Sequence, residues 1–146
     1  DKLMALGAQT VVETVDCILD GTAPKMPQPE VAELKMAPKI FKETCKINWD
    51  NDCESIYNFV RGLSPYPTAW SELMNDNTPS IPMKIYEVTT EQTSHTHTPG
   101  TIVTDGKKDL KVACKDGFVT IKSLQLSGKK RMNSDEFLRG YKIDLL

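Results

Sequence analysis

The sequence predicts a mainly β chain with flanking helices, in which a small antiparallel barrel is preceded by a helix and an extended linker. Three observations lead there. Apolar residues recur at steps of three and four near the N-terminus, four prolines crowd residues 24–38, and from Ala69 onward the apolar period changes to two.

The first helix is marked by Met4, Ala8, Val11, Val12, Val15, Ile18 and Leu19 and stops at Asp20-Gly21, with Gly21 as its C-terminal stop. Pro24, Pro27, Pro29 and Pro38 then give residues 21–40 the character of an extended linker with limited flexibility. Residues 41–146 are expected to form one compact unit. It opens with a helix inside WDNDCESIYNFVRGL, where Asn51 is placed to cap the first turn and Glu54, three residues on, to complete a capping box. Cys53, Ile56, Tyr57, Val60 and Leu63 share its apolar face, opposite Glu54, Asn58 and Arg61.

Arg61 falls in the last helical turn, where a cation complements the negative end of the helix dipole. In the exit RGLSPYPTAW, Pro65 and Pro67 are expected to fix a turn and Trp70 to fill the barrel. Strands are expected at residues 69–74, 83–90, 100–104, 110–115 and 118–126. Asp116-Gly117 predicts a tight two-residue hairpin, because such turns need backbone angles that Gly and Asp tolerate, and Asp105-Gly106 marks a second connection. Five short strands with short loops suggest a small antiparallel barrel. NSDEFLRG closes the chain as a short helix, with Asn133 as cap and Glu136 three residues later.

With 146 residues, 39% hydrophobic and 26% charged, the chain suits one ordinary globular domain with an appended segment. It has no run of about 20 apolar residues and no signal-peptide pattern, so a cytoplasmic location is expected. It begins Asp-Lys-Leu, inside a helical pattern, which suggests a piece of a longer protein. Cys17, Cys45, Cys53 and Cys114 include no CxxC pair and match no zinc-finger spacing, so they read as buried or idle thiols in a reducing compartment. The net charge of -2 is unevenly spread: residues 1–60 carry 6 Lys/Arg against 10 Asp/Glu, residues 61–100 carry 2 against 4, and residues 101–146 carry 10 against 6. The C-terminal third is therefore the part suited to an anion such as nucleic acid.

No motif of an active site is present: there is no GxGxxG, Walker loop, GxSxG or HExxH. His95 and His97 are the only histidines; they lie in EQTSHTHTPG with no third ligand nearby, so a solvated loop is the expected role and neither a catalytic nor a metal site is assigned. Lys129, Lys130 and Arg131 follow a glycine after the longest expected strand, where adjacent cations can meet successive phosphates and the glycine lets a backbone approach. Lys107, Lys108, Lys111, Lys115 and Lys122 add positive charge nearby, with Lys111 and Lys115 on one strand face.

The succession LDGTAPKMPQ, APKIFKETCKINW, IYNFVRGLSPYPTAW, MKIYEV, PGTIV, VACKDG and SLQLSGKKRMNSDEFLRG resembles the C-terminal part of the methionyl-tRNA formyltransferases, from about Leu3 to Gly140. The resemblance implies that residues 1–20 are the final helix of a Rossmann-like catalytic domain, 21–40 a linker, and 41–146 a C-terminal barrel resembling an OB-fold. That family transfers a formyl group from formyl-tetrahydrofolate to the amino group of methionyl initiator tRNA. Its catalytic Asn, His and Asp have no counterpart here, so this region is expected to be inactive alone and to hold no cofactor of its own. Family carry-over places Lys25, Gln28 and Lys39 toward the acceptor arm, and Arg61, Lys129, Lys130 and Arg131 on the charged side of the barrel, with the upstream catalytic domain as a further partner. Two rival readings remain: a sugar-nucleotide formyltransferase or formyl-tetrahydrofolate hydrolase with the same two-domain plan, and a barrel serving as a protein-interaction module.

Overall fold

The computed structural model describes residues 2–30, 33–34, 36–75, 78–141 and 143. Parts of the expected linker (31, 32 and 35) and of the C-terminus (142 and 144–146) lie outside the described residues. The chain divides into two compact units, Asp1–Pro38 and Lys39–Leu146.

In the first unit a single helix, α1 (Lys2–Leu19), follows the predicted periodicity. Gly21 takes φ +69, a left-handed conformation that costs glycine nothing, and the Thr22 N–H donates to the Cys17 carbonyl at 2.9 Å. The apolar side chains of α1 are exposed, Leu3 at 83% and Val11 at 62%. Lys25 and Gln28 follow on an exposed segment without regular structure.

The second unit begins with a 3-10 turn at Glu43–Cys45 and then α2 (Cys53–Leu63). The cap of α2 is Asp52, one residue later than the sequence suggested: its carboxylate accepts the Ser55 N–H at 2.8 Å. A second carboxylate completes the end from 63 residues away, with Asp116 Oδ1 accepting the Cys53 N–H at 2.7 Å. Both aspartates are held below the ordinary carboxylate value, Asp52 chiefly by the Ser55 backbone N–H and Asp116 chiefly by that of Cys53. Cys53, Ile56, Val60 and Leu63 are buried as expected, whereas Tyr57 is exposed at the edge of that face.

Six strands follow: β1 (Ala69–Asn75), β2 (Thr78–Gln92), β3 (Ile102–Thr104), β4 (Leu110–Cys114), β5 (Gly117–Leu126) and the short β6 (Met132–Asn133). They pair antiparallel in the order β1-β2-β5-β4-β3, with β6 on β5, and the sheet curls into a half-barrel of the predicted mainly β class. Its longest strand is β2, not the strand before the basic run. The inner face carries Ile85, Val119, Ile121 and Leu124, all fully buried, against Ile56 and Val60 of α2. Truncating one of the large aliphatics to alanine costs about 2–5 kcal/mol at such positions. The closing helix α3 (Ser134–Gly140) has the expected cap, the Glu136 carboxylate accepting the Asn133 N–H at 2.9 Å.

The hairpin at 115–116 forms for a reason different from the predicted one. Cys114 pairs with Gly117, so the turn residues are Lys115 and Asp116, and Gly117 belongs to β5. Gly117 is not left-handed. A Cβ there would stand 2.1 Å from the Glu91 carbonyl oxygen and 3.0 Å from Cys53 Sγ, so the close approach of β2 and α2 demands glycine. Lys115 accordingly does not share a strand face with Lys111.

Candidate nucleic-acid interface

The outer face of β1, β2 and β5 gathers cations and aromatic rings in one row. Register places Trp70 opposite Lys84, and Lys84 opposite Gln125, so the three project from the same side of the sheet. Trp70 does not fill the barrel. Its ring is half-buried against this face, and its Nε1–H donates to the Lys42 carbonyl at 2.7 Å, which fixes the indole edge-on to the segment before the 3-10 turn. The Lys42 and Lys46 ammonium groups lie 5.6 and 5.2 Å from the ring centroid. Interior positions of β1 go instead to Ala69, Ser71 and Leu73.

Farther along the row, the Tyr86 hydroxyl donates to Gln125 Oε1 at 2.7 Å, and Gln125 Nε2 donates to the Lys129 carbonyl at 2.8 Å. That pair ties the basic turn to the sheet. Gly128 makes the turn possible through φ +72, with open space around it, so its role is conformational rather than to admit another backbone. Arg131 crosses back over the sheet: its guanidinium carbon is 4.4 Å from the Tyr86 ring centroid and its Nε donates to Ser123 Oγ at 2.7 Å.

The predicted cations thus separate by role. Lys129 and Lys130 are exposed on the turn, and Arg131 is anchored. Lys39 stands 5.4 Å over Phe41. Arg61 is exposed in the last turn of α2, donating to Asn58 Oδ1 at 3.1 Å. Lys25 and Gln28 belong to the first unit. Lys111 is engaged by Glu91 at 2.9 Å, and Lys46 by Glu72 at 2.8 Å, whereas no carboxylate lies within ion-pair distance of Lys42, Lys84, Lys129 or Lys130 among the described residues. Lys42, Lys84, Trp70 and Tyr86 were missed by sequence reasoning. The signal available was the alternation M-K-I-Y, which puts Lys84 and Tyr86 on the face opposite Met83 and Ile85.

Of two other groupings, the histidine loop differs from expectation, while Cys45, Cys53 and Cys114 are buried thiols as expected. His95 is half-buried rather than solvated, its Nε2–H donating to the Cys114 carbonyl at 2.8 Å and its ring 4.7 Å from that of Phe118. Cys53 and Cys114, distant in sequence, meet with their sulfurs 3.2 Å apart, and with Asp116 their ligand atoms lie within 4.8 Å of one another. Burial, reinforced by the Cys114 sulfur, pushes the Cys53 thiol up. A protonated thiol in an apolar setting is a poor metal ligand and a poor nucleophile.

A half-barrel whose outer face carries unpaired lysines beside aromatic rings has the chemistry of a polyanion-binding module. Residues 39–142 match the family model of the formyl transferase C-terminal domain, and the chain belongs to that family. It is 55% identical over 144 residues to a methionyl-tRNA formyltransferase from Bacteroides fragilis, 97% of this chain and 44% of that protein. It is 52% identical to the enzyme of that name from Bacteroides thetaiotaomicron, covering 98% of this chain and 45% of the relative. The chain therefore spans less than half the length of these relatives. Among solved structures, HypX from Aquifex aeolicus superposes with a TM-score of 0.59 at 20% identity, over 94% of this chain and 24% of that one, which supports the fold.

Proposed function

We propose that the chain is the tRNA-holding C-terminal region of a methionyl-tRNA formyltransferase. The observation that carries this reading is the 55% identity, over 97% of the chain, to a relative of that name, on a fold whose outer face presents unpaired cations. In the whole protein, formyl-tetrahydrofolate would supply the formyl group and the amine of methionyl initiator tRNA would accept it. That amine attacks only when neutral, and the formyl carbonyl must be polarised, so a base and hydrogen-bond donors belong to an upstream domain. Residues 1–20 fit the last helix of that domain, since the apolar face of α1 needs a partner to cover it. Residues 21–40 form the linker and 41–146 the barrel, all in the cytoplasm where translation runs; none of the described helices is long and apolar enough to cross a membrane.

Within this scheme Lys25, Gln28 and Lys39 approach the acceptor arm, and Arg61, Lys129, Lys130 and Arg131 meet phosphates of the tRNA body. Such contacts fix register and orientation without reading sequence. The test is a titration of the chain with initiator tRNA at low and high salt. Binding that weakens steeply with salt is expected. Absence of salt-sensitive binding at low salt overturns the reading.

A further inference from the structure

Beside the basic turn, the second unit has a groove of about 620 Å³ between the segment before the 3-10 turn, the SPYPT exit of α2, and strands β1, β2 and β5. Three aromatic rings line it: Phe41, Tyr66 and Trp70. Lys42 and Lys84 line it too, and no carboxylate does. Tyr66 is 87% exposed and Phe41, with Lys39 over its ring, 54%, which is unusual for large rings.

The indole of Trp70 and the backbone that carries the other two rings are held in place. Trp70 is pinned through its Nε1–H to the Lys42 carbonyl. The Phe41 backbone is fixed by a reciprocal pair with Thr44, whose hydroxyl donates to the Phe41 carbonyl at 2.7 Å and accepts the Phe41 N–H at 3.1 Å. The turn carrying Tyr66 is closed by the Thr68 N–H donating to the Leu63 carbonyl at 2.9 Å and by Thr68 itself at φ +82, a conformation rare for a β-branched residue.

Exposed rings on a fixed backbone, close to unpaired ammonium groups, suit a strand of unpaired nucleotides: bases stack on the rings while the lysines neutralise the flanking phosphates. A paired helix cannot offer its base faces to such a groove. We infer that the groove binds single-stranded RNA by stacking an unpaired base on Tyr66 and Trp70, with Lys42 and Lys84 on the adjoining phosphates. This rests on the tRNA-holding reading and deepens it: the turn cations hold the folded body, and the groove takes a looped-out or terminal stretch of the same RNA.

The probe is a labelled single-stranded RNA hexamer, read by fluorescence anisotropy beside the same sequence in duplex and beside whole initiator tRNA. The hexamer is expected to bind more tightly than its duplex. Tyr66→Ala should weaken it by about tenfold while Tyr66→Phe keeps it, since stacking needs the ring and not the hydroxyl. Tyr66 is so exposed that its truncation leaves the fold intact, which a thermal melt checks. If whole tRNA binds in a salt-sensitive way but the hexamer binds no better than duplex, or Tyr66→Ala changes nothing, the groove assignment is wrong and the broader reading stands. If neither RNA binds, both fall. An acidic peptide of equal charge that competes with the hexamer as well as unlabelled hexamer does would assign the groove to a protein instead.

Discussion

The Arg131 guanidinium carbon lies 4.4 Å from the Tyr86 ring centroid while its Nε donates to the buried Ser123 hydroxyl, so one side chain joins β2, β5 and the start of β6. Arg131 therefore differs from its neighbour Lys130 although both belong to one cationic run of the sequence. A planar guanidinium can stack and donate at once, which an ammonium cannot reproduce. Arg131→Lys is expected to lower stability by about 1 kcal/mol, from the lost stack and the Ser123 hydroxyl left without its donor. Lys130→Glu should leave stability unchanged and weaken tRNA binding. Urea unfolding and tRNA titration on both variants check the division of roles.

Gly117 is the described glycine whose replacement the fold tolerates least. A Cβ there would meet the Glu91 carbonyl at 2.1 Å, and backbone cannot swing aside as a flexible side chain does. Gly117→Ala is expected to destabilise by at least about 2–3 kcal/mol. Gly106→Ala meets open space and bears only its left-handed backbone, φ +70, at about 1–2 kcal/mol. Equal midpoints in denaturant for the two variants would contradict this ranking.

Asp105 organises the connection between β3 and β4: its Oδ1 accepts the N–H groups of Lys107, Lys108 and Asp109 at 2.8–2.9 Å. Those bonds, first that of Lys108, pull its carboxyl down to about 2 from an ordinary 3.8. Because the folded value is the lower one, the stabilisation is fully present above the unfolded value and is lost as pH falls from about 4 through about 2. Asp105→Ala should therefore unfold more readily than the parent at neutral pH, and the difference should shrink toward acid. Thermal melts across that range measure it.

The paired thiols give a chemical prediction. Cys53 and Cys114 are both buried, which shields their sulfurs from a reagent in solvent, and burial also pushes the Cys53 thiol up. Iodoacetamide at mildly alkaline pH is expected to modify the half-buried Cys17 first and to reach Cys53 and Cys114 only on unfolding. Mass mapping of the labelled sites reads the order, and rapid native labelling of Cys53 would contradict it.

The elements were legible because their signals are local. The three-and-four spacing gave both long helices, the alternation gave β1, β3, β4, β5 and the second half of β2 but neither its start nor β6, and Asn133 with Glu136 gave the cap of α3. What sequence could not show are the contacts made across the fold. Asp116 and Gly117 read as turn chemistry, yet Asp116 caps a helix 63 residues away and Gly117 admits a neighbouring strand. Trp70 read as core because large aromatics usually are, but its position in the alternation of β1 assigns it to the outer face beside Lys84. The basic run was visible as charge; that Arg131 is anchored by Tyr86 and Ser123 depends on register.

The claim that this outer face holds tRNA is tested most directly by the slope of log affinity against log salt for initiator tRNA, in the parent and in a Lys84→Ala, Lys129→Ala, Lys130→Ala variant. Each phosphate contact contributes about 0.7–0.9 to that slope. The account predicts a steep slope in the parent and one shallower by roughly 2 in the variant, with thermal stability retained. An unchanged slope, or no measurable binding by the parent at low salt, would contradict it.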